Sequence, residues 1–169
     1  HSRRSTTTAM RGSALPPALL HEFADKGIVI QQGFGMTETG PTVFLIDKEN
    51  AVRKAGSVGK PVLHTDVSIM DRQRNQLGPG EIGELCIRGG NVWNRPRATT
   101  ESIIDGWLHS VDAAMFDEDG YYFIVDRWKD MYISGGENVY PAEVENVLYQ
   151  HPAVAEAAVI GVADPRWQE

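Results

Sequence analysis

Residues 15–42, LPPALLHEFADKGIVIQQGFGMTETGPT, decide the fold class of this 169-residue chain. Two prolines open the stretch, apolar residues follow at helical spacing, and Gly27 closes it, which is the pattern of an α-helix. The apolar run GIVIQQ (27–32) comes next and predicts a short buried strand. Since TTTAM (6–10) also starts like a strand, the order is strand, helix, strand, which is typical of α/β proteins.

The pattern changes to antiparallel β structure after about residue 57. The turns RQRNQLGPGE and DEDG suit hairpins, and PAEVENVLYQH predicts a helix because it has proline at the first helical position and glutamates in the first turn. The closing apolar run AVAEAAVIGV predicts a final strand. The other predicted strands are DVSIMD (66–71), EIGELCIRG (81–89), GWLHSVD (106–112), YYFIVDR (121–127) and MYIS (131–134).

Composition excludes several classes of function. Acidic residues outnumber basic ones by 23 to 16, for a net charge of −7, which argues against a nucleic-acid partner. The one cysteine, Cys86, cannot form an internal disulfide, so we interpret it as a buried strand thiol; a cysteine-built zinc site is excluded, and the five histidines lack metal-ligand spacing. No run approaches the ~18 apolar residues of a membrane span, and no secretion signal is evident, so we expect a cytoplasmic protein.

The loop FGMTETGPT (34–42), directly after the predicted strand, has the composition of a ligand site. Backbone N–H groups in a glycine-containing turn cradle anions. Thr37 adds a hydroxyl group, and Glu38 offers a carboxylate oxygen to Mg²⁺, which takes one or two carboxylates together with phosphate oxygens. Phe34 offers a flat face to a base. From these residues alone, a nucleotide-phosphate site and a solvated loop with a core phenylalanine are equally good interpretations.

Other phosphate and catalytic motifs are absent. Lys54, directly before AGSVGKP (55–61), stands where a Walker A loop has its first glycine, and Pro61 replaces the serine or threonine. GFGMTETG has Glu38 in place of the third glycine of a dinucleotide-binding motif. No G-x-S-x-G elbow occurs, and DEDG lacks the rest of a calcium loop, so we predict a hairpin turn there.

Five segments together resemble the adenylate-forming acyl-CoA synthetases. QQGFGMTETGPT, GEIGELCIRG, GWLHSVD, YYFIVDRWKDMYISGGENVYPAEVE and HPAVAEAAVIGVAD occur in the order found in that superfamily, from about residue 9 to the end. ISGGENVYPAEVE is similar to the acyl-CoA ligase branch. The resemblance implies that a fatty or aromatic acid reacts with MgATP to give an acyl-adenylate and pyrophosphate, after which the CoA thiol displaces AMP.

The resemblance also implies a partial fold. Residues 1–128 would be the C-terminal part of a large AMP-binding domain, with an α/β segment over about 1–45 and a β subdomain over about 46–128. Residues 129–169 would be the hinge and the start of a small α+β C-terminal domain. The polar start and the apolar end of the sequence suggest a piece of a longer chain.

The motifs assign expected roles to residues near the first loop. Phe34 resembles the aromatic residue that packs on adenine, with Gly12 and Ser13 covering the other side of the ring. Gly35 and Met36 would bring the backbone close to the nucleotide. Thr37 resembles the threonine that contacts phosphate, and Glu38 resembles the Mg²⁺ ligand. The residues around Gly33 and Gly40–Pro41 would border the acyl pocket.

Further roles follow for the later motifs. Asp112 in GWLHSVD matches the aspartate that holds the ribose hydroxyls, and Arg127 in DRWKD matches the arginine that helps to hold ribose or phosphate; the alternative for both is a surface ion pair. Lys129 matches the hinge about which the C-terminal domain rotates between adenylation and thioester formation. Gly135 and Gly136 would line the pantetheine channel, unless they form an ordinary tight turn.

Some features depart from the family pattern. The upstream loop that grips the β- and γ-phosphates and the adenylation lysine near the C-terminus have no counterpart in the sequence. NVWNRPRAT (91–99) lacks a few residues between Val92 and Trp93, and Val111 replaces a glycine, so that a β-branched side chain restricts the backbone beside Asp112. Two hypotheses stand: part of an active acyl-CoA ligase whose isolated fragment is inactive, and a degenerate, non-catalytic nucleotide-binding or interaction module.

Overall fold

The computed structural model describes residues 6–11 as backbone alone, and residues 15–92, 102–151, 153–164 and 166. The helices are α1 (Pro17–Asp25) and α2 (Pro141–Leu148). The strands are β1 (Thr6–Arg11), β2 (Ile28–Phe34), β3 (Phe44–Leu45), β4 (Lys60–Pro61), β5 (Thr65–Met70), β6 (Gly83–Gly89), β7 (Ile103–Ile104), β8 (Trp107–Phe116), β9 (Tyr122–Arg127), β10 (Tyr132–Ser134) and β11 (Glu137–Val139).

The chain opens with a β-α-β unit. β1 and β2 are parallel neighbours, and α1 connects them. α1 begins at Pro17, where the missing N–H of proline costs nothing because the first N–H groups of a helix have no partner within it. Gly27 follows the helix at φ 79°, in the left-handed region that glycine readily adopts. The predicted strand–helix–strand opening is confirmed.

Two larger sheets follow from this start. β1-β2-β3-β4 form a four-stranded sheet, and β5-β6-β8-β7 form a second sheet in which β9 also pairs with β8. All pairs in the second sheet are antiparallel, and β8 and β9 are joined by the predicted DEDG turn. The prediction of an α/β segment followed by antiparallel β structure is confirmed.

The two sheets share one hydrophobic core. Gly59 joins them: its carbonyl accepts the N–H of Tyr122 at 2.9 Å, and a Cβ at this position would lie 2.1 Å from the carbonyl carbon of Leu45. Only glycine fits this crossing. The buried members of the core cluster come from both sheets and the loops between them: Val43, Phe44, Val58, Ile69, Leu85, Ile87 and Ala114.

The elements after β9 pack on the second sheet. Tyr140 and Met131 are buried against Ala113 of β8, and α2 begins at Pro141, as the sequence predicts. The N–H of Ala142, in the first turn of α2, donates to Asp126 of β9 at 2.8 Å. The division into two domains near residue 128 stays a prediction.

The predicted final strand is wrong. Residues 153–163 contain no strand. A strand needs neighbouring backbone as its hydrogen-bond partner, whereas the N–H of Ala157 donates to the Tyr149 hydroxyl at 3.4 Å and that of Val159 to Glu145 at 2.9 Å. The side chains of Glu145 and Tyr149 therefore accept the backbone hydrogen bonds that a neighbouring strand would accept in a sheet. Within the part of the chain described, no helix is long and apolar enough to cross a membrane.

Candidate functional site

The loop after β2 folds tightly enough to require glycine at its start. A Cβ on Gly35 would lie 2.4 Å from the carbonyl oxygen of Pro41, so no other residue fits there without moving the backbone. A single 3-10 turn, Thr37–Thr39, follows. The hydroxyl of Thr39 accepts the N–H of Met36 at 3.3 Å, and this bond holds the turn against the end of β2.

Side chains of this loop divide into an inner and an outer set. Phe34 and Met36 are partly buried against the shared core, and the Phe34 ring lies 6.0 Å from that of Phe44, tilted by 55°. Thr37 and Glu38 are exposed. The loop thus presents a hydroxyl and a carboxylate to solvent beside a partly buried aromatic ring. Both sequence interpretations of Phe34 are compatible with this arrangement.

Asp112 and Arg127 face each other across β8 and β9. They are register partners, with Arg127 Nε 3.8 Å from Asp112 Oδ1. The Asp112 side chain is only 17% exposed, whereas that of Arg127 is 58% exposed. Burial raises the pKa of the Asp112 carboxyl, Arg127 and Ser110 act against this rise, and the charge of Glu84 adds to it.

A bulge in β8 places Asp112 at this point. Between the pairs Glu84–Ala113 and Cys86–His109, β6 advances by two residues while β8 advances by four, so β8 carries two extra residues. Val111 lies in this bulge at φ 56°, a conformation that is rare for β-branched residues. Bulges re-aim side chains and are common beside active sites. The family motif therefore coincides with a local distortion of the sheet.

Three side chains lie beside the bulge and form a cluster that the sequence analysis did not predict, although it placed Cys86 in a buried strand. The potential ligand atoms of Glu84, Cys86 and His109 all lie within 4.8 Å of one another. His109 Nδ1 is 2.7 Å from Glu84 Oε2 and 3.5 Å from Cys86 Sγ. Glu84 and Cys86 are two residues apart on one strand and so share a face, which was a readable signal, but only the register reveals His109 as their neighbour.

This cluster is better suited to hydrogen bonding than to metal binding. Metals bind the thiolate of cysteine, whereas burial, followed by the charge of Glu84, raises the pKa of Cys86 to about 12. Both carboxylate oxygens of Glu84 already have partners, Oε2 with His109 and Oε1 with the N–H of Val111 at 3.3 Å. A bound cation would have to displace these contacts. We interpret the cluster as a support for the bulge.

The remaining predicted residues are either outside the described part of the chain or in the turns that follow β9. Gly12 and Ser13 are outside the described residues, as are residues 93–101 of the shortened loop. Lys129 is exposed between β9 and β10, where it lines a pocket of about 580 Å³ together with Glu84 and His109. Gly135 and Gly136 form the exposed two-residue turn between β10 and β11, at φ 61° and 93°, which is the geometry of a tight hairpin.

The described contacts connect the two halves of the predicted site indirectly. Phe34 to Glu38 are consecutive on one loop, and Asp112 and Arg127 form a cross-strand pair. Asn91, just beyond β6, donates its side-chain amide to the carbonyl of Thr39 at 3.1 Å and so ties the second sheet to the loop. The arrangement brings a hydroxyl and carboxylate loop to the sheet that carries the Asp112–Arg127 pair.

Comparisons with known proteins identify the family of this chain. Residues 2–94 match the family model described as AMP-binding enzyme, and residues 143–169 match the model described as AMP-binding enzyme C-terminal domain. Feruloyl-CoA synthase from Amycolatopsis sp is 49% identical over 162 residues, which cover 94% of this chain and 33% of the relative. The chain thus spans about a third of the length of the curated relatives it matches.

A solved structure of a CoA synthetase has a similar fold. The o-succinylbenzoate CoA synthetase of Bacillus subtilis, in complex with its acyl-adenylate intermediate, has a TM-score of 0.87 and 40% identity, covering 96% of this chain and 34% of that protein. The same protein in complex with ATP and a magnesium ion has a TM-score of 0.84, with 95% of this chain covered.

Proposed function

Because the chain belongs to the AMP-binding enzyme family, we propose that it is part of an AMP-forming acid–CoA ligase. Such an enzyme activates a carboxylic acid as acyl-AMP and transfers the acyl group to CoA. The observation that carries the proposal is the Asp112–Arg127 pair: a poorly exposed carboxylate, re-aimed by a bulge, lies opposite an exposed guanidinium group. A carboxylate accepts hydrogen bonds from vicinal hydroxyls, and a guanidinium group donates to oxyanions.

The loop after β2 would hold the phosphate end of the nucleotide. We assign Phe34 to the adenine, with Gly12 and Ser13 on its other face, and the backbone of Gly35 and Met36 to close approach. Thr37 would donate its hydroxyl to a phosphate oxygen.

The exposed Glu38 carboxylate fits Mg²⁺, which retains several waters and needs few protein ligands. When bound, Mg²⁺ would neutralise phosphate charge.

The second half of the site would hold the sugar and control the reaction cycle. Asp112 would accept hydrogen bonds from the ribose hydroxyls, and Arg127 would donate to ribose or phosphate. Lys129, exposed between β9 and β10, would be the hinge for rotation of the C-terminal domain. Gly135 and Gly136 would then line the channel for the pantetheine arm of CoA, where the absence of side chains leaves room.

We favour an aromatic acid over a fatty acid as the substrate. The relative of 49% identity is named feruloyl-CoA synthase and the structure with a TM-score of 0.87 is an o-succinylbenzoate CoA synthetase, and both acids carry an aromatic ring. A fatty acyl CoA synthetase from Mycobacterium tuberculosis, also 40% identical, has a lower TM-score of 0.68. The partners are then small molecules, namely the acid, ATP and CoA, and we place the enzyme in the cytoplasm, where ATP and CoA are available.

The test is acid-dependent ATP–pyrophosphate exchange by the full gene-encoded protein. A panel of aromatic and fatty acids is compared for the wild type, Glu38→Ala and Val111→Gly. Glu49→Ala is the matched control, because Glu49 is an exposed glutamate outside the loop. We expect the wild type to catalyse exchange with an aromatic acid. Glu38→Ala should lower the exchange rate by about 100-fold because electrostatic stabilisation is weaker, and Glu49→Ala should leave the rate unchanged.

Other outcomes identify the alternative hypothesis. The strained Val111 beside Asp112 is the observation that favours a degenerate module. Exchange that appears only in Val111→Gly would mean that the chemistry has decayed at the ribose site. Absence of exchange in every variant, with ATP still binding, would replace the ligase with a non-catalytic nucleotide-binding module.

A further inference from the structure

The bulge in β8 leaves backbone groups that the sheet ladder cannot satisfy. The single residue Leu85 of β6 lies opposite residues 110–112, since the register passes from Glu84–Ala113 directly to Cys86–His109. Val111 at the centre of the bulge is in the left-handed region, where a β-branched residue is strained. A strained conformation persists only when its surroundings hold it in place.

Two hydrogen bonds hold the Val111 residue from opposite sides. Its N–H donates to Glu84 Oε1 at 3.3 Å, and its carbonyl accepts the N–H of Trp128 at 2.8 Å. The next N–H, that of Asp112, donates to the hydroxyl of Ser110 at 3.2 Å. The backbone immediately before Asp112 is thus fixed on both faces, and the bond to Glu84 is the one made by a side chain from another strand.

Glu84 is itself held firmly. Its side chain is 13% exposed, as is that of His109, whose Nδ1 lies 2.7 Å from Glu84 Oε2. A proton placed on Nδ1 makes this contact a hydrogen bond to the carboxylate, so that each oxygen of Glu84 has one donor. The carboxylate therefore has a fixed orientation towards Val111.

We propose that Glu84 is a positioning residue for nucleotide binding: by accepting the N–H of Val111, it stabilises the left-handed bulge that aims Asp112 at the ribose hydroxyls. The inference rests on the proposed function, because it needs Asp112 to bind ribose. Glu84 acts through the backbone and does not contact the ligand. Its loss should weaken the recognition of the ribose hydroxyls and leave the rest of the nucleotide contacts intact.

The experiment measures binding of AMP and 2′,3′-dideoxy-AMP to the full gene-encoded protein by calorimetry. The ratio of the two affinities reports the contribution of the ribose hydroxyls. Glu84→Met keeps the length of the side chain and removes both acceptors, and we expect it to lower the ratio by about tenfold, the effect of one good hydrogen bond to a charged group. Glu84→Gln keeps an acceptor for Val111 and should retain the ratio within about threefold.

Two further variants complete the design. Asp112→Ala should abolish the preference for AMP, and adding Glu84→Met to it should change nothing more, because the two act through the same contact. Glu81→Met is the matched control: Glu81 also accepts a backbone N–H, that of Gly78 at 2.6 Å, but in the turn between β5 and β6. It should leave the ratio unchanged.

The outcomes separate the two proposals. A preference that is absent in the wild type or survives in Asp112→Ala overturns the ribose role of Asp112 and this inference with it. A preference lost in Asp112→Ala but intact in Glu84→Met overturns only the role of Glu84. Equal weakening of both ligands in Glu84→Met would show a merely structural role and also overturn it.

If Glu84→Met does not fold, Glu84→Asp decides, since it keeps the charge but is too short to reach both Val111 and His109. A lower ratio in Glu84→Asp supports the proposal, and an unchanged ratio overturns it.

Discussion

The two ends of the β8–β9 hairpin differ in how well neighbouring groups stabilise their charged carboxylates. At the turn end, Lys54 Nζ lies 2.6 Å from both Asp117 and Asp119, and the Tyr121 hydroxyl donates to Asp47 at 2.6 Å. The hydrogen bond from Lys54 lowers the pKa of Asp119, and the bond from Tyr121 lowers that of Asp47. Asp119 and Asp47 are thus stabilised in their charged forms.

At the bulged end, the same two strands leave a carboxylate poorly compensated. Burial raises the pKa of Asp112, and its arginine partner is 3.8 Å away, too far for a hydrogen bond. Val111 beside it is strained. Strain and uncompensated charge concentrate where a protein binds or reacts. The difference indicates that the turn end stabilises the fold, while strain and a poorly compensated charge at the bulged end lower stability and place Asp112 for binding.

The largest expected effect concerns the reactivity of Cys86, which pairs with His109 at one end of the bulge. A rise in its pKa from 9.0 to about 12 should slow alkylation near neutral pH by about a thousandfold relative to the unfolded chain, because only the thiolate reacts and each pKa unit is tenfold. Peptide mass spectrometry after iodoacetamide treatment, with and without urea, measures this ratio. A ratio below about ten would mean that the bulged end opens readily and that burial there is not persistent.

The turn end can be broken by Asp117→Ala. Asp117 accepts the N–H of Tyr121 at 2.9 Å and the Lys54 ammonium at 2.6 Å. Loss of both bonds should lower the free energy of unfolding by about 1–2 kcal/mol, measured by urea denaturation. Glu118→Ala removes the same charge from an exposed neighbour and should have little effect. Equal stabilities of the two variants would refute the structural role of the turn end.

The strain at the bulged end can be relieved by Val111→Gly. Glycine adopts the left-handed conformation without strain, which should raise the free energy of unfolding by about 1–2 kcal/mol. The greater conformational freedom of glycine in the unfolded chain offsets about 0.5–1 kcal/mol of this rise. The net rise in unfolding free energy should be about 0.5–1 kcal/mol by the same denaturation assay. Val52→Gly is the control, since Val52 is similarly exposed, 38% against 43%, but has no positive φ; it should destabilise. A loss of stability in both variants would show that Val111 is not strained.

Sequence reasoning reached the fold through local signals. Pro17 and Gly27 bound α1 because their backbone preferences act within one or two residues, and DEDG predicts its turn for the same reason. The prediction of a strand at 153–163 was wrong because β-branched composition does not indicate whether a neighbouring strand is available. Contacts with side chains of residues 145 and 149 decided that segment, and these are tertiary.

The candidate site divides in the same way. The loop residues from Phe34 to Glu38 are consecutive, so composition alone could mark them. The cluster around Glu84 depends on pairing between strands 25 residues apart, Glu84 to His109, and on a bulge that the alternation of apolar residues does not reveal. Val111 was noticed as a departure from the family pattern, but its left-handed conformation required the backbone.

The smallest expected effect compares the two ends through pH. A carboxyl whose pKa is raised on folding, such as Asp112, destabilises the folded state once it ionises, so stability falls as pH rises through the folded pKa. Asp112→Asn should therefore be more stable than the wild type above that pKa, and the gap should shrink as pH falls towards the unfolded value near 3.8. Asp119, whose pKa is lowered, contributes stability above its unfolded pKa, so Asp119→Asn should be less stable at neutral pH and the gap should close in acid.

Unfolding free energies between about pH 2 and pH 7 measure both gaps, because the Asp119 gap closes only as pH falls through the lowered pKa of the folded state. Opposite signs would establish that one hairpin is stabilised by charge at its turn and destabilised by charge at its bulge. The same sign at both ends would mean that Arg127, despite its distance and exposure, compensates Asp112 as fully as Lys54 compensates Asp119. The bulge would then have to be explained by the backbone alone.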